Sequence, residues 1–185
     1  MLIPSTDLNG HAAPARRGQR IRFRNPTVDD GLRVWELIAA CPPLDQNSIY
    51  CNHLQCSHFA DTCMLAEQGG DAVGWVSAYR PPAKPSTLFI WQIAVHPKAR
   101  GEGLGRELIE ALLESDACAG VRRIETTITA ANDLSWALFK ATAQSLGAPL
   151  RREPWFDRDA HFDGRHDTEH LVRIGPFDAS KEASA

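Results

Sequence analysis

The 185-residue sequence lacks any apolar run approaching the roughly 20 residues that a membrane-spanning helix needs. It also lacks a long basic block, because 20 Lys+Arg stand against 23 Asp+Glu and the formal net charge is −3. This balance disfavours a nucleic-acid-binding surface. No apolar core of a signal peptide is present near the beginning. We therefore expect a cytoplasmic protein that acts on small molecules and binds neither nucleic acid nor membrane.

Cysteine is scarce, and its number is odd. The five cysteines are Cys41, Cys51, Cys56, Cys63 and Cys118. Without a secretion signal, an odd count favours reduced thiols over disulfides. One cluster resembles a set of metal ligands: Cys51, His53, Cys56 and His58. Its spacing fits no standard zinc pattern, and a helix would spread these side chains around its axis, so we expect no metal.

The two ends of the chain differ in composition from the rest. Residues 1–20 mix Pro, Gly, Ala, Ser and Arg without periodicity, and the chain closes with DASKEASA. Such segments bury little apolar surface. We expect a disordered tail over 1–20, one domain over 21–176 and a flexible tail over 177–185. The 43% apolar content suffices for the core of one domain.

Hydrophobic periodicity predicts strands and helices that alternate along this domain. Strands are predicted near 21–25, 63–67, 73–79, 88–95, 123–129, 150–156 and 168–174, and helices near 28–40, 48–59, 104–112 and 132–146. The segment 88–95 is almost wholly apolar, which is typical of a central strand buried on both faces. The pattern indicates an α/β fold with a mixed central sheet flanked by helices.

A glycine-rich loop follows this most apolar strand and leads directly into a helix. It reads Arg100-x-x-Gly103-x-Gly105. Glycines let the backbone approach a ligand closely, and inward N–H groups with the positive end of a helix dipole favour a pyrophosphate. Arg100 and Arg106 add positive charge. The loop lacks the Lys-Ser/Thr of a nucleotide P-loop, and no acidic ribose ligand follows it, which disfavours a dinucleotide fold.

This stretch resembles the acetyl-CoA-binding motif of the GNAT superfamily, R/Q-x-x-G-x-G/A after the fourth strand. The element order over 21–174 is similar to that superfamily as well. The resemblance implies a GNAT fold, acetyl-CoA as cosubstrate, a pantetheine arm bound by backbone groups of the strand, and a pyrophosphate held by the loop. The coenzyme-binding residues that it implies are Ile93, Val95, Arg100, Gly101, Gly103, Leu104, Gly105, Arg106, Asn132, Ser135 and Phe139.

Phe139 departs from the pattern of the superfamily. Many members carry a Tyr at the corresponding position, and that Tyr can protonate the departing thiolate. A phenyl ring has no acidic proton. The departure puts a Tyr general acid in doubt at this position.

Further stretches resemble one family within the superfamily, the L-2,4-diaminobutyrate acetyltransferases of the ectoine pathway. They are PLDQNSIYCN at 43–52, VGWVS at 73–77 with Pro81-Pro82, LFIWQIAV at 88–95 and GRHDTEH at 164–170. The resemblance implies transfer of acetyl to the γ-amine of L-2,4-diaminobutyrate. The product would be the precursor of ectoine, a compatible solute that serves osmoprotection. Related enzymes are commonly dimers, so a homodimer is expected.

This reaction sets three requirements. The substrate's ammonium groups need acidic or aromatic partners. The γ-amine must lose a proton before it attacks, and the tetrahedral oxyanion needs a donor, most simply a backbone N–H beside the fourth strand. We expect the first two requirements to be met by Asp45, Tyr50, Trp91, His166 and Glu169.

Each of these residues has a structural alternative. Asp45 could serve only as a helix cap, and Tyr50 and Trp91 could be core aromatics. Glu169 could be a solvated strand residue. We expect binding roles for all five, with Glu169, Asp45 and His166 as catalytic candidates and Glu169 as the favoured proton acceptor.

Strand alternation predicts where the side chains of the apolar strand point. Trp91 should share a face with Ile93 and Val95, and Gln92 should face the other way. A buried amide must be hydrogen-bonded, so we expect Gln92 to be structural or to support the site indirectly.

Three other functions stay open. The first is a GNAT enzyme for another small amine, such as a polyamine or an aminoglycoside. The second is a protein Nα- or lysine acetyltransferase, which the bulky Trp91, Tyr50 and the Pro-rich loop at 80–85 disfavour, because they indicate a closed pocket. The third is a non-catalytic acetyl-CoA sensor, which the acidic and aromatic set disfavours.

Overall fold

The structure is a computed structural model, and it describes residues 20–178. The tails predicted over 1–20 and 177–185 lie almost entirely outside the described residues. Phe177 is described: its ring is buried against the main core, and its backbone N–H donates to the carbonyl of Arg122 at 3.0 Å. The predicted boundary after residue 176 therefore falls too early.

The described residues form seven strands and five α-helices, in the order β1-α1-α2-β2-β3-β4-α3-β5-α4-β6-α5-β7. The strands are β1 (Arg22–Arg24), β2 (Cys63–Gln68), β3 (Asp71–Tyr79), β4 (Thr87–Val95), β5 (Arg123–Thr129), β6 (Leu150–Phe156) and β7 (Glu169–Ile174). The helices are α1 (Gly31–Ala39), α2 (Ile49–Gln55), α3 (Leu104–Leu113), α4 (Asp133–Ser145) and α5 (Arg158–Phe162). No helix within 20–178 combines the length and the apolar character needed to cross a bilayer.

The predicted elements are present, with two differences. Helix α2 ends at Gln55 rather than near 59, because the chain then turns into a short 3₁₀ segment, Ala60–Thr62. Helix α5 was not predicted, because its five residues are too few for a periodic pattern. Its N-cap is Asp157, whose carboxylate accepts hydrogen bonds from the backbone N–H groups of Asp159 and Ala160.

The sheet has the strand order β1-β2-β3-β4-β5-β7-β6, so β4 is central, as its apolar sequence predicts. Helices α3 and α4 pack on one face over the larger core, which includes Leu108, Ile124 and Phe139. Helices α1 and α2 pack on the other face around Val34 and Trp75. The predicted mixed sheet flanked by helices is confirmed.

A buried charge network fixes the first strand to the first helix. The backbone N–H of Thr27 donates to the Asp30 carboxylate at 2.8 Å. Arg24 donates to Asp30 and to Glu67, and Arg33 bonds the same two carboxylates. Hydrogen bonds from Arg24 hold the pKa of Asp30 well below its ordinary value. The network is structural and lies outside the cavities described below.

Strands β4 and β5 are the only parallel neighbours in the described sheet, and they separate after a short pairing. Their ladder joins Thr87, Leu88 and Phe89 to 123–125. Beyond Phe89 and Glu125, no pair links the two strands within the described residues. The separation opens the sheet at the carboxyl end of β4, where the glycine-rich loop begins.

A β-bulge interrupts β4. Ser77 of β3 pairs with Gln92 and Ala78 pairs with Ile90, so Trp91 is the extra residue. Because two residues oppose one at a bulge, the alternation of faces shifts by one position there. Trp91 consequently does not share a face with Ile93, and that prediction is wrong.

Candidate active site

Backbone conformation in the loop before α3 depends on two glycines. Gly101 and Gly103 adopt φ values of 86° and 85°, a left-handed conformation that side chains disfavour. A Cβ placed on either would meet no atom within 4 Å, so both glycines border open space. Gly103 is the N-cap of α3 and has no side chain to bond the first N–H groups of the helix. These groups remain for an anion such as a pyrophosphate.

The predicted coenzyme residues surround one cavity of 560 Å³. Its walls include ten of the eleven predicted side chains and loop positions, namely Ile93, Val95, Arg100, Gly101, Gly103, Leu104, Gly105, Arg106, Asn132 and Ser135. The sequence did not predict its remaining apolar wall, which includes Cys41, Leu134, Leu138 and Ala141. The shape and chemistry fit a long ligand with an anionic middle and an apolar arm.

Phe139 is the exception among the eleven. Its ring is 3% exposed and belongs to the core under α4, together with Trp136 and Ala143. Leu138 and Ala141 lie on the face of α4 that lines the cavity instead. The coenzyme contact predicted for the Phe139 side chain is wrong, because its helical position points to the sheet.

Arg100 bonds the end of β4. Its Nε donates to the carbonyl oxygen of Val95 at 2.9 Å, and the thiol of Cys41 donates to the same oxygen at 3.3 Å. Arg100 also lines the first cavity, where its guanidinium can meet an anion. Arg106 lies in the first turn of α3, with its Nε 3.5 Å from a Glu110 carboxylate oxygen.

A second cavity, of 760 Å³, adjoins the first. Four residues line both: Pro43, Leu44, Asn132 and Leu134. Asn132 also caps α4, since its side-chain oxygen accepts the N–H of Ser135 at 3.1 Å. The shared wall means that a group held in one cavity can reach a group held in the other.

Three of the predicted substrate residues come together in this second cavity. The Nε2 of His166 lies 3.9 Å from a carboxylate oxygen of Asp45 and 3.8 Å from one of Glu169. Its Nδ1 is 2.7 Å from the carbonyl of Asp167, which can only accept, so we assign the proton to Nδ1. The arrangement directs Nε2 toward the two carboxylates. Two carboxylates beside one cavity favour a cationic ligand.

Glu169 begins β7 and is largely shielded from water. Its side chain is 18% exposed, and its Oε2 is buried without a hydrogen-bond partner among the described residues. Burial raises the pKa of Glu169, while the nearby His166 opposes that shift. A carboxylate with a raised pKa and an unpaired oxygen is suited to accept a proton.

Gln92 positions Asp45, as its predicted supporting role requires. The Gln92 amide donates to the Asp45 carbonyl at 2.7 Å, and the Asn47 amide donates to the Gln92 oxygen at 3.1 Å. The Asp45 side chain is 93% exposed to the cavity mouth. Ser48 caps α2 by accepting the N–H of Cys51, so the alternative role of Asp45 as that cap is wrong.

Trp91 and Tyr50 lie apart from this cluster. Trp91 is 50% exposed and lines a third cavity of 590 Å³ with Phe89, whose side chain is on the same face before the bulge. Tyr50 is 72% exposed and lines none of the three cavities found in the described part of the chain. The chain by itself therefore does not assemble the predicted five-residue pocket, and neither aromatic is a core residue.

Comparison with known proteins identifies the family. The profile of the acetyltransferase (GNAT) family matches residues 32–143. The L-2,4-diaminobutyric acid acetyltransferase of Vibrio cholerae is 51% identical over 152 residues, which are 82% of this chain and 88% of that protein. The enzyme of that name from Methylotuvimicrobium alcaliphilum is 48% identical over 159 residues, 86% of this chain and 92% of that protein. The chain belongs to the L-2,4-diaminobutyric acid acetyltransferase family.

A solved structure agrees with this membership. Diaminobutyrate acetyltransferase EctA from Paenibacillus lautus, solved in complex with its substrate L-2,4-diaminobutyric acid and coenzyme A, has a TM-score of 0.83 and 41% identity. The match covers 88% of this chain and 99% of that one. The predicted GNAT fold and the resemblance to this family are confirmed.

This member of the diaminobutyrate acetyltransferase family has site residues that the sequence did not predict. Some belong to the unpredicted helix α5 or to the loop after it, and others to the end of β5. The Phe162 ring stacks at a tilt on His166, with 4.7 Å between centroids. Arg158 and Arg165 line the second cavity. The one available signal was Asp157, a good N-cap residue, at the start of α5.

The cysteines of the described region are all free thiols. Burial raises the pKa values of Cys56 and Cys63 to about 12, so these thiols stay protonated at neutral pH. His53 bonds the Val28 carbonyl at 3.0 Å. Residues 20–178 contain no group of three or more His, Cys, Asp or Glu side chains placed to hold a metal ion.

Proposed function

We propose that this enzyme transfers the acetyl group of acetyl-CoA to the γ-amine of L-2,4-diaminobutyrate, giving N4-acetyl-L-2,4-diaminobutyrate. Family membership supports this reaction. The observation that carries it is the cluster of Asp45, His166 and Glu169 in a cavity that shares a wall with the coenzyme cavity. We further propose that the enzyme acts in the cytoplasm and that its product feeds synthesis of the osmoprotectant ectoine.

The first cavity fits the coenzyme. Two glycines in left-handed conformations border open space, and the positive end of α3 faces the same loop. Acetyl-CoA supplies an activated thioester when it is bound. We propose that Arg100 and Arg106 contact its pyrophosphate, and that the separated edge of β4 near Val95 bonds the pantetheine amides. We propose that the acetyl end then lies next to the second cavity, because the two cavities share a wall.

The second cavity fits a small diamine. Diaminobutyrate carries two ammonium groups and one carboxylate at neutral pH, so it is a net cation. Asp45 and Glu169 supply the opposite charge. We propose that Glu169 accepts the γ proton, directly or through a water, because burial raises its pKa and its Oε2 is buried without a hydrogen-bond partner within residues 20–178. The Nε2 of His166 lies 3.9 Å from Asp45 and 3.8 Å from Glu169, where it can accept a hydrogen bond from a substrate ammonium group.

Substrate choice provides the test of this function. We expect diaminobutyrate to be the best substrate and ornithine to be poorer in kcat/KM by about tenfold or more, because one additional methylene moves the reacting amine past the acetyl carbonyl. Thiol release from acetyl-CoA measures the rates, and NMR identifies the acetylated nitrogen. Equal rates on ornithine, a polyamine or an aminoglycoside would contradict the assignment. If the protein completes no turnover in the thiol-release assay with any of these amines, the result would instead indicate a coenzyme sensor.

Metal removal is the second test. We expect dialysis against EDTA, followed by removal of the chelator, to leave kcat unchanged, because the proposed proton acceptor is a carboxylate and acyl transfer to an amine needs no Lewis acid here. A parallel sample receives Zn²⁺ after dialysis. Activity that disappears with EDTA and returns with zinc would indicate a metal site at the Cys/His cluster of 51–58.

We propose that the enzyme is a homodimer and that its aromatic face forms the interface. This face comprises Phe59, Trp91, Trp155 and Phe156, each at least two-fifths exposed. It adjoins β6, an edge strand whose residues after Leu150 are all exposed. Exposed apolar surface beside a bare edge strand is typical of an interaction site. A formal net charge of −3 opposes self-association only weakly, and two-fold homodimers are the commonest oligomers.

Light scattering tests the dimer. We expect a mass twice the 20.4 kDa of one chain, and a shift toward that single-chain mass in Trp155→Lys, because a buried ammonium at the interface is costly. Val28→Lys, at an exposed apolar residue before α1, is the matched control and should stay dimeric. A wild-type mass of one chain at micromolar concentration would contradict the proposal.

A further inference from the structure

The proposed substrate carries a carboxylate to which no binding residue has yet been assigned. Asp45 and Glu169 attract ammonium groups and repel this third charge. A buried or half-buried carboxylate needs a cationic partner, and arginine matches it best because its planar guanidinium can donate two parallel hydrogen bonds. Among the described residues that line the second cavity, the cationic candidates are Arg158, Arg165 and His166.

Two of these three residues, His166 and Arg165, already contact other groups of the protein. The ring of His166 lies between two carboxylates, and its other nitrogen bonds a backbone carbonyl. Arg165 is 84% exposed, and its guanidinium contacts the carboxylate of Asp163 at 3.3 Å. That contact directs the charge of Arg165 toward solvent and a neighbouring acid.

Arg158 is held firmly at its backbone and loosely at its guanidinium. It is the first residue of α5, and its N–H donates to the hydroxyl of Thr168 at 3.0 Å. Its side chain reaches across the turn to the Gly164 carbonyl, at 3.4 Å. The nearest carboxylate within residues 20–178 is that of Asp159, at the 4.0 Å limit of an ion pair. Most of its five N–H donors therefore remain for a ligand.

Gly164 lies directly beside this guanidinium. A Cβ at Gly164 would lie 3.8 Å from the terminal nitrogen of Arg158, which is ordinary van der Waals contact. The residue also adopts φ of 73°, which favours glycine. The turn thus combines a fixed backbone, an uncrowded guanidinium and an open cavity.

We propose that Arg158 binds the α-carboxylate of diaminobutyrate and selects the amino acid over simple diamines. This inference rests on the proposed function. Asp45 and Glu169 then pair with the two ammonium groups and Arg158 pairs with the carboxylate, so each charge of the substrate meets an opposite charge. A diamine without the carboxylate leaves Arg158 unpaired in the cavity and loses that contact. The residue binds and selects; it moves no proton.

The test uses 1,3-diaminopropane, which is diaminobutyrate without its carboxylate. We expect Arg158→Gln to lose about ten- to a hundredfold in kcat/KM for diaminobutyrate, mainly through KM, because a charge-assisted contact is removed. The same variant should keep its kcat/KM for 1,3-diaminopropane within about twofold, since that substrate never makes the contact. Arg158→Lys keeps the charge but not the planar fork, so it should fall between wild type and Arg158→Gln.

Arg22→Gln is the control, at an exposed arginine of β1 that lines none of the three cavities, and it should leave the rates on both substrates unchanged. The KM for acetyl-CoA reports that each variant is folded. Equal losses on both substrates, or no loss on diaminobutyrate, would overturn the role of Arg158 while leaving the proposed function intact. A wild-type enzyme that releases no thiol with diaminobutyrate would overturn the proposed function, and this inference with it.

Discussion

Glu169→Gln is expected to lower kcat/KM for diaminobutyrate by about a hundredfold, within the range that general-base catalysis contributes. The amide keeps the shape of the side chain but cannot take a proton. Wild-type kcat/KM should fall as the pH drops through the pKa of Glu169, which burial raises above its ordinary value. The variant should lack this acidic limb. Initial rates by thiol release over a pH series measure both effects.

Glu114→Gln, at an exposed residue after α3, is the control and should match wild type. Asp45→Ala should lose at least tenfold, because a charge-assisted contact is worth about 1.5–3 kcal/mol, with the acetyl-CoA KM nearly unchanged. Unaltered kinetics in Asp45→Ala and Glu169→Gln would show that the cluster is not the substrate site.

The raised pKa of Glu169 also predicts that Glu169→Gln stabilises the fold, although the same change lowers activity. When a carboxyl pKa is higher in the folded state, the unfolded state releases its proton first, so stability falls as pH rises through that interval. Ionised Glu169 thus destabilises the fold at neutral pH. We expect Glu169→Gln to melt at a higher temperature than wild type at pH 7. The difference should vanish below the ordinary pKa of about 4.3.

Gly103→Val is expected to raise the KM for acetyl-CoA by about tenfold or more. A branched side chain would occupy the open space beside the loop where the pyrophosphate approaches, and φ of 85° is unfavourable for valine. Gly120→Val provides the matched control, because Gly120 has φ of 75° with open space around it and lines none of the three cavities. The control experiences the backbone strain without the coenzyme contact.

Comparison of the two valine variants separates strain from contact. Both should lose some thermal stability, about 1 kcal/mol or more, because each forces valine into a left-handed conformation. Only Gly103→Val should alter the coenzyme KM. Isothermal titration with CoA measures the affinity directly. Equal KM changes in the two variants would show that the loop assignment rests on strain alone.

Local chemistry explains why most of the fold and the coenzyme loop could be predicted. Some features depend only on residues that are close in sequence, and these can be recognised from the sequence alone. They include the glycines at 101 and 103, the Asn132 cap and the apolar strand β4. Asp45, Glu169 and His166 were located through resemblance to a family rather than through spacing. Their meeting depends on the loop before α2 and the start of β7, which are distant in sequence.

The three misplaced residues have different physical causes. Trp91 lies in a strand that is almost wholly apolar, so the sequence shows no regular alternation that an inserted residue could break, and the bulge cannot be predicted from it. Phe139 was assigned to the coenzyme through the resemblance to the superfamily. Periodicity could not correct that assignment, because both faces of α4 are apolar, one toward the sheet and one toward the coenzyme cavity. Tyr50 is exposed, and its predicted role requires surroundings that this chain by itself does not supply.

The short ladder between β4 and β5 also bears on dynamics. Three residue pairs are all that join β1–β4 to β5–β7 within the described sheet, so the two halves share little backbone bonding at the carboxyl end of β4. Amide hydrogens there should exchange readily with deuterium in the free enzyme. A pantetheine chain bonded along that edge would act as a substitute strand and slow the exchange. The coenzyme concentration would then determine how strongly the unfolding of the two halves is coupled into one cooperative transition.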